Sequence, residues 1–136
     1  MIDKKYIKVL FSLLGIFLFF NISDNPYKIV RLMRTDKNLY ISEYSDGIMK
    51  KQVPKKQFTI ASLSPEEEKE MDKEFSKLDL DSTVTVLNQL GDEEYPTIMY
   101  LFIKDGDTIR SKFFSKSKMP NYLKKIDYLL AKNRIK

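Results

Sequence analysis

Five carboxylates crowd two short stretches of this chain, Asp79 and Asp81 in "LDLDS" and Asp92, Glu93 and Glu94 in "GDEEY". Oxygen donors in such numbers could hold a hard cation or supply the paired acid and base of a hydrolase. The run from Asp79, "DLDSTVTVLNQL", has Val84 where a calcium loop needs its glycine and Leu90 where it needs its bidentate glutamate. These acids therefore read as helix-end and loop residues. The serines Ser42, Ser45, Ser111 and Ser115 have no histidine to activate them, and lysine serves as their base only in rare arrangements. Cysteine, histidine and tryptophan are absent altogether. That removes the usual zinc ligands, every disulfide and the side chain best suited to proton transfer near neutral pH. Gly47, Gly91 and Gly106 each fit a turn, and no glycine-rich phosphate loop is present. The expectation is a protein that is not an enzyme, with no cofactor and no metal.

Two other groups of residues have the chemistry of binding. "KFFSKSKMPNYLKK" interleaves Lys112, Lys116, Lys118, Lys124 and Lys125 with Phe113, Phe114 and Tyr122, a mixture suited to an anionic surface or an acidic partner. A strand–loop–helix corner gives the same mixture with one phenylalanine buried. Tyr40, Tyr44, Tyr95, Tyr100 and Tyr122 could form a recognition face, because tyrosine binds at low entropy cost, although such residues also sit simply on sheets. Glu67, Glu70 and Glu74 give an acidic helix face. Charge is segregated: the region from Ser64 to Glu94 is acidic and that from Lys104 to Lys136 basic, while residues 24–136 together carry only +3. The partner-binding expectation falls on Glu67, Glu70, Glu74, Tyr40 and Tyr44. Contact with an anionic surface falls on the five lysines.

The location of this chemistry is indicated by "VLFSLLGIFLFF", Val9 to Phe20. Lys4, Lys5 and Lys8 precede it, and Asn21, Ser23, Asp24, Asn25 and Pro26 follow. Basic, apolar, then polar is the order of an export segment. The run is shorter than the roughly 20 residues of a spanning helix, yet no A-x-A cleavage pattern follows it. Residues 1–23 are accordingly a signal peptide or an N-terminal membrane anchor, with the lysines inside and everything after Asp24 outside. Export argues against a nucleic-acid partner.

The elements that must position these residues follow from pattern. Tyr27 to Arg34 and Leu39 to Ser45 read as strands, and Asp46-Gly47 turns the second into Ile48 to Val53. "QFTIAS" from Gln57 adds an edge strand. Ser64-Pro65-Glu66-Glu67 is a capping box that starts a helix to about Leu78, with Met71, Phe75 and Leu78 inward. "TVTVLNQL" from Thr83 reads as a strand, as does "TIMYLFIK" from Thr97, which Asp105-Gly106 turns into "TIRSKFF". Pro120 opens a last helix to about Asn133, burying Leu123, Ile126, Leu129 and Leu130. The fold class is α+β: one domain over residues 24–136, with an antiparallel sheet of about five strands in two hairpin units and two helices on one face.

"LYISEYSDGIMKK", then "SLSPEEEKEMDKEFSKLDL", then a hydrophobic hairpin and "MPNYLKKIDYLL", resembles a group of small exported bacterial α+β domains of unknown function. Where those often carry a cysteine-glycine-cysteine-proline element, this chain has Thr35-Asp36-Lys37-Asn38. The resemblance implies a fold and a location but no activity. The functional expectation is a non-catalytic exported or membrane-anchored envelope domain that binds a protein partner. The alternative is a small inhibitor or immunity-type protein that blocks a toxin or hydrolase through the acidic helix or the tyrosine face.

Overall fold

The computed structural model describes residues 27–55 and 58–132. The expected signal peptide or membrane anchor, residues 1–23, lies outside them. Among the described residues no helix is long and apolar enough to cross a membrane.

Seven strands form one antiparallel sheet. They are β1 (Tyr27–Arg34), β2 (Leu39–Ser45), β3 (Ile48–Gln52), β4 (Thr59–Ser62), β5 (Thr97–Lys104), β6 (Asp107–Arg110) and β7 (Phe114–Ser115). The spatial order is β4-β3-β2-β1-β5-β6, with β7 paired to the start of β5. In both Asp-Gly turns the two central residues have positive φ, 50° and 80° at Asp46-Gly47 and 51° and 80° at Asp105-Gly106. This is the geometry whose twist matches a two-residue hairpin, and glycine adopts it without steric cost.

Alternation along the strands divides the sheet into two faces. Tyr27, Ile29, Tyr44, Met49, Ile98, Tyr100 and Phe102 point inward, where three helices cover them. Helix α1 (Pro65–Ser76) begins with the expected capping box: Ser64 Oγ accepts from the Glu67 amide at 3.2 Å, and Glu67 Oε1 accepts from the Ser64 amide at 3.1 Å. It buries Met71 and Phe75, and the Phe75 ring stacks on Tyr27 with centroids 4.0 Å apart. Helix α3 (Asn121–Lys132) buries Leu123, Ile126, Leu129 and Leu130, the four residues its spacing had marked.

Two expectations require correction. The stretch from Thr83 is not a strand but belongs to helix α2 (Leu80–Asn88), so the described residues form three α-helices rather than two. Asp79 caps it, its side chain accepting from the Ser82 amide at 3.2 Å, and burial falls on Thr83, Val84 and Leu87. That stripe is helical, and packing on the core outweighs the strand preference of four consecutive β-branched residues, Thr83 to Val86. The second difference lies in "TIRSKFF", which is interrupted after Arg110 and resumes as β7 at Phe114. With the Thr83 stretch helical, the edge strand present as β4 and the last strand divided into β6 and β7, the sheet has seven strands where about five were expected.

The helical register of α2 gives a direct test. Leu87→Ala is expected to cost about 2–5 kcal/mol in urea unfolding, while Val86→Ala, at a position 40% exposed, costs under about 1 kcal/mol. A strand would reverse this ranking by placing Val86 on the same face as Val84.

Candidate functional site

The concentration of polar chemistry in the interior is a buried network. Arg31 lies on the inner face of β1 because it follows Tyr27 and Ile29 at period two, and Asp127 follows Leu123 by four residues on the inward stripe of α3. Arg31 Nε donates to Asp127 Oδ1 at 2.5 Å and Nη2 donates to Oδ2 at 3.4 Å. Tyr100, opposite Arg31 on β5, donates its hydroxyl to the same Oδ1. Burial pushes the Tyr100 hydroxyl well above its ordinary range, and the negative charge of Asp127 adds to the shift. For Arg31 burial acts downward, but the hydrogen bond and charge of Asp127 outweigh it, so the guanidinium is held more firmly protonated. Next to this network Lys51 Nζ donates to the Ala131 carbonyl at 3.2 Å, placing a cation on the C-terminal end of α3. The Asp127 carboxylate is thus held by donors from both Arg31 and Tyr100. This network docks a helix.

The open chemistry lies at one end of the sheet. Between the pairs Leu101↔Arg110 and Ile98↔Phe114, β5 has two residues, Met99 and Tyr100, and the facing chain has three, Ser111 to Phe113. The extra residue is a β-bulge. Ser111 holds it closed: its amide donates to the Tyr100 carbonyl at 2.9 Å, and its hydroxyl accepts from the Tyr100 amide at 3.0 Å, replacing the missing strand carbonyl. Lys112 then turns outward, and its amide donates to Oδ1 of Asn88, the last residue of α2, at 2.7 Å. The Arg34 guanidinium at the end of β1 lies 4.3 Å from the centre of the Phe113 ring.

These displacements open a groove of about 630 Å³ lined by Arg34, Asn88, Leu90, Asp92, Met99, Arg110, Ser111, Lys112 and Phe113. Three cations line it against one acid. None of Arg34, Arg110 and Lys112 is within salt-bridge distance of a carboxylate among the described residues. Elsewhere the surface lysines Lys77, Lys118 and Lys125 are paired with Glu74, Glu93 and Glu70.

The residues singled out from sequence are dispersed by this arrangement. Tyr44 is fully buried, its hydroxyl accepting from the Gly47 amide at 3.2 Å, and Tyr40 is half-buried. Neither belongs to an open face with Glu67, Glu70 and Glu74. Glu67 serves the capping box, Glu70 holds Lys125 Nζ at 2.9 Å and Glu74 holds Lys77. Of the five lysines only Lys112 lines the groove. Lys118 is tied to Glu93 at 2.9 Å, a contact that draws the Glu93 carboxyl below its ordinary range, and Lys116 and Lys124 are exposed. No group of three or more metal-ligating side chains forms among the described residues. Sequence reasoning missed Arg34, Arg110 and Asn88. The available signal was "FF" at 113–114: under strict alternation only one of two adjacent phenylalanines can face inward.

No family model matches the chain, and no curated protein matches it.

Two measurements test the interior. Asp127→Leu alone strands a buried guanidinium and is expected to cost about 3–5 kcal/mol, whereas combining it with Arg31→Met and Tyr100→Phe restores most of the loss. Urea unfolding of the single and triple variants checks this, and a fully additive triple variant would contradict the coupling. Alkaline titration examines the buried phenols. Burial pushes Tyr44 up to about 12 and raises Tyr27 and Tyr100 as well. A raised pKa favours the protonated phenol in the fold. Its stabilisation is therefore complete below the unfolded value of about 10 and is lost as pH rises through the folded value. The urea midpoint should fall above pH 10 and fall less steeply in Tyr44→Phe.

Proposed function

We propose that this chain is a non-catalytic binding domain, exported or held at the outer face of a membrane, that engages a protein partner through the groove between α2 and the β6–β7 bulge. The observation that carries this reading is the trio Arg34, Arg110 and Lys112 around one concavity, without carboxylate partners among the described residues. Cations without carboxylate partners, gathered with apolar side chains in one concavity, are what a binding surface offers an anionic partner. The acidic helix supports the inhibitor alternative less well, since Glu67, Glu70 and Glu74 are already engaged within the domain.

Chain geometry is consistent with this use. Six residues, 21–26, separate the apolar run from β1 and can reach about 20 Å at most. If the run is retained in a bilayer, the end of the sheet with the two Asp-Gly turns stays close to it. The groove then lies beyond the eight residues of β1, about 26 Å further out.

Cross-linking in cells tests the reading. With a photoreactive side chain in place of Lys112, the full chain is expected to give one discrete heavier adduct. The same side chain in place of Lys69, on the exposed surface of α1, should give none. Equal adducts at both positions, or none at Lys112, would overturn the assignment of the groove.

A further inference from the structure

We infer that the groove accepts an acidic peptide segment of its partner, with carboxylates placed on either side of an apolar residue. This rests on the reading of the groove as the partner site and adds the class of ligand.

The lining itself selects this class. Arg34 and Arg110 offer planar guanidinium forks that match carboxylate oxygens two at a time, and Lys112 adds a third, more mobile cation. Because none of the three has a carboxylate partner among the described residues, an incoming acid breaks no existing ion pair. The stacking of Arg34 on Phe113 holds that guanidinium in place before a ligand arrives, so less freedom is lost on binding. Leu90, Met99 and Phe113 supply apolar wall between the charges. A small inorganic anion would leave that wall in water, but an apolar side chain flanked by acids would cover it.

The opposite wall disfavours a compact polyanion. Asn88 ends α2, so the negative pole of that helix lies at the groove, and Asp92 stands beside it. A phosphate dianion or a nucleic-acid backbone concentrates charge that would meet this wall. A peptide spreads single charges along its length and presents amide donors that the helix end can accept. The volume of about 630 Å³ lies in the ordinary range of ligand sites and suits a segment of a few residues.

Fluorescence anisotropy of the detergent-solubilised full chain decides the matter, with a dye-labelled hexapeptide of alternating glutamate and leucine as the probe. Saturable binding is expected, weakened by about 10-fold or more when glutamine replaces glutamate. The exposed pair Arg110→Ser and Lys112→Ser should cause a comparable loss, while Lys116→Ser with Lys124→Ser leaves affinity within about twofold. Inorganic phosphate and a single-stranded oligonucleotide should compete only weakly. Equal binding of the glutamine peptide, insensitivity to the Arg110 and Lys112 changes, or competition by the oligonucleotide as strong as that of unlabelled peptide would each overturn the ligand class. Should the cross-link at Lys112 persist while the acidic peptide fails to bind, the partner site stands and only the ligand class falls. Absence of both removes the two together.

Discussion

The contact on which the rest of the domain depends is the ion pair between Arg31 and Asp127. It joins the second half of β1 to the last helix across 96 positions of sequence, at a place where both side chains are almost fully removed from water. Two charges buried in this way tolerate little displacement, because either one left alone would be costly. α3 is thereby fixed in depth and rotation on the sheet, with Lys51 holding its far end. Tyr100 carries the constraint outward. Its hydroxyl belongs to the network, while its backbone amide and carbonyl are the two groups that Ser111 engages to form the bulge. One residue therefore connects the buried salt bridge with the rim of the groove. Side-chain exchange at Arg31 should be felt at Lys112 through Tyr100, without direct contact between them.

Much of the scaffold was legible because its signals are local. The two Asp-Gly turns, the capping box at Ser64 and the inward stripe of α3 each depend on residues within one turn or one helix. What escaped depends on residues distant in sequence. Thr83 to Val86 carry a strand preference that is overridden once Leu87 and Val84 find the core. Arg31 inside an apolar strand and Asp127 inside an apolar helical stripe are each visible as misplaced charges, but sequence alone does not say that they are partners. The groove was legible only in part. Lys112 stood out by composition, whereas Arg34 and Arg110 reach the same concavity because β1 and β6 both end at that edge of the sheet.

Charge in this protein separates by use more than by region. Two ion pairs join the acidic and basic regions of the sequence, Glu70 with Lys125 and Glu93 with Lys118, bringing α1 to α3 and the loop after α2 to the turn before α3. Such exposed pairs contribute little to stability. Their effect is local, holding those elements together, whereas Arg34, Arg110 and Lys112 share one concavity without a carboxylate partner among the described residues. On the other face of the sheet the pairing is buried instead: Lys28 and Glu43 meet on adjacent strands among Val30, Leu32 and Leu101.

That α3 comes last in the described chain, yet supplies four core residues and the counterion of Arg31, bears on how the domain is made. Until that helix has been synthesised, the inner face of the sheet keeps an unneutralised guanidinium beside uncovered apolar side chains. Closure of the core then waits on contacts distant in sequence, and long-range closure of this kind is slow to nucleate. A nascent chain in that condition remains threadable. If the chain is exported as proposed, closure of the core by α3 follows the making of all seven strands, and the sheet stays open while it is threaded.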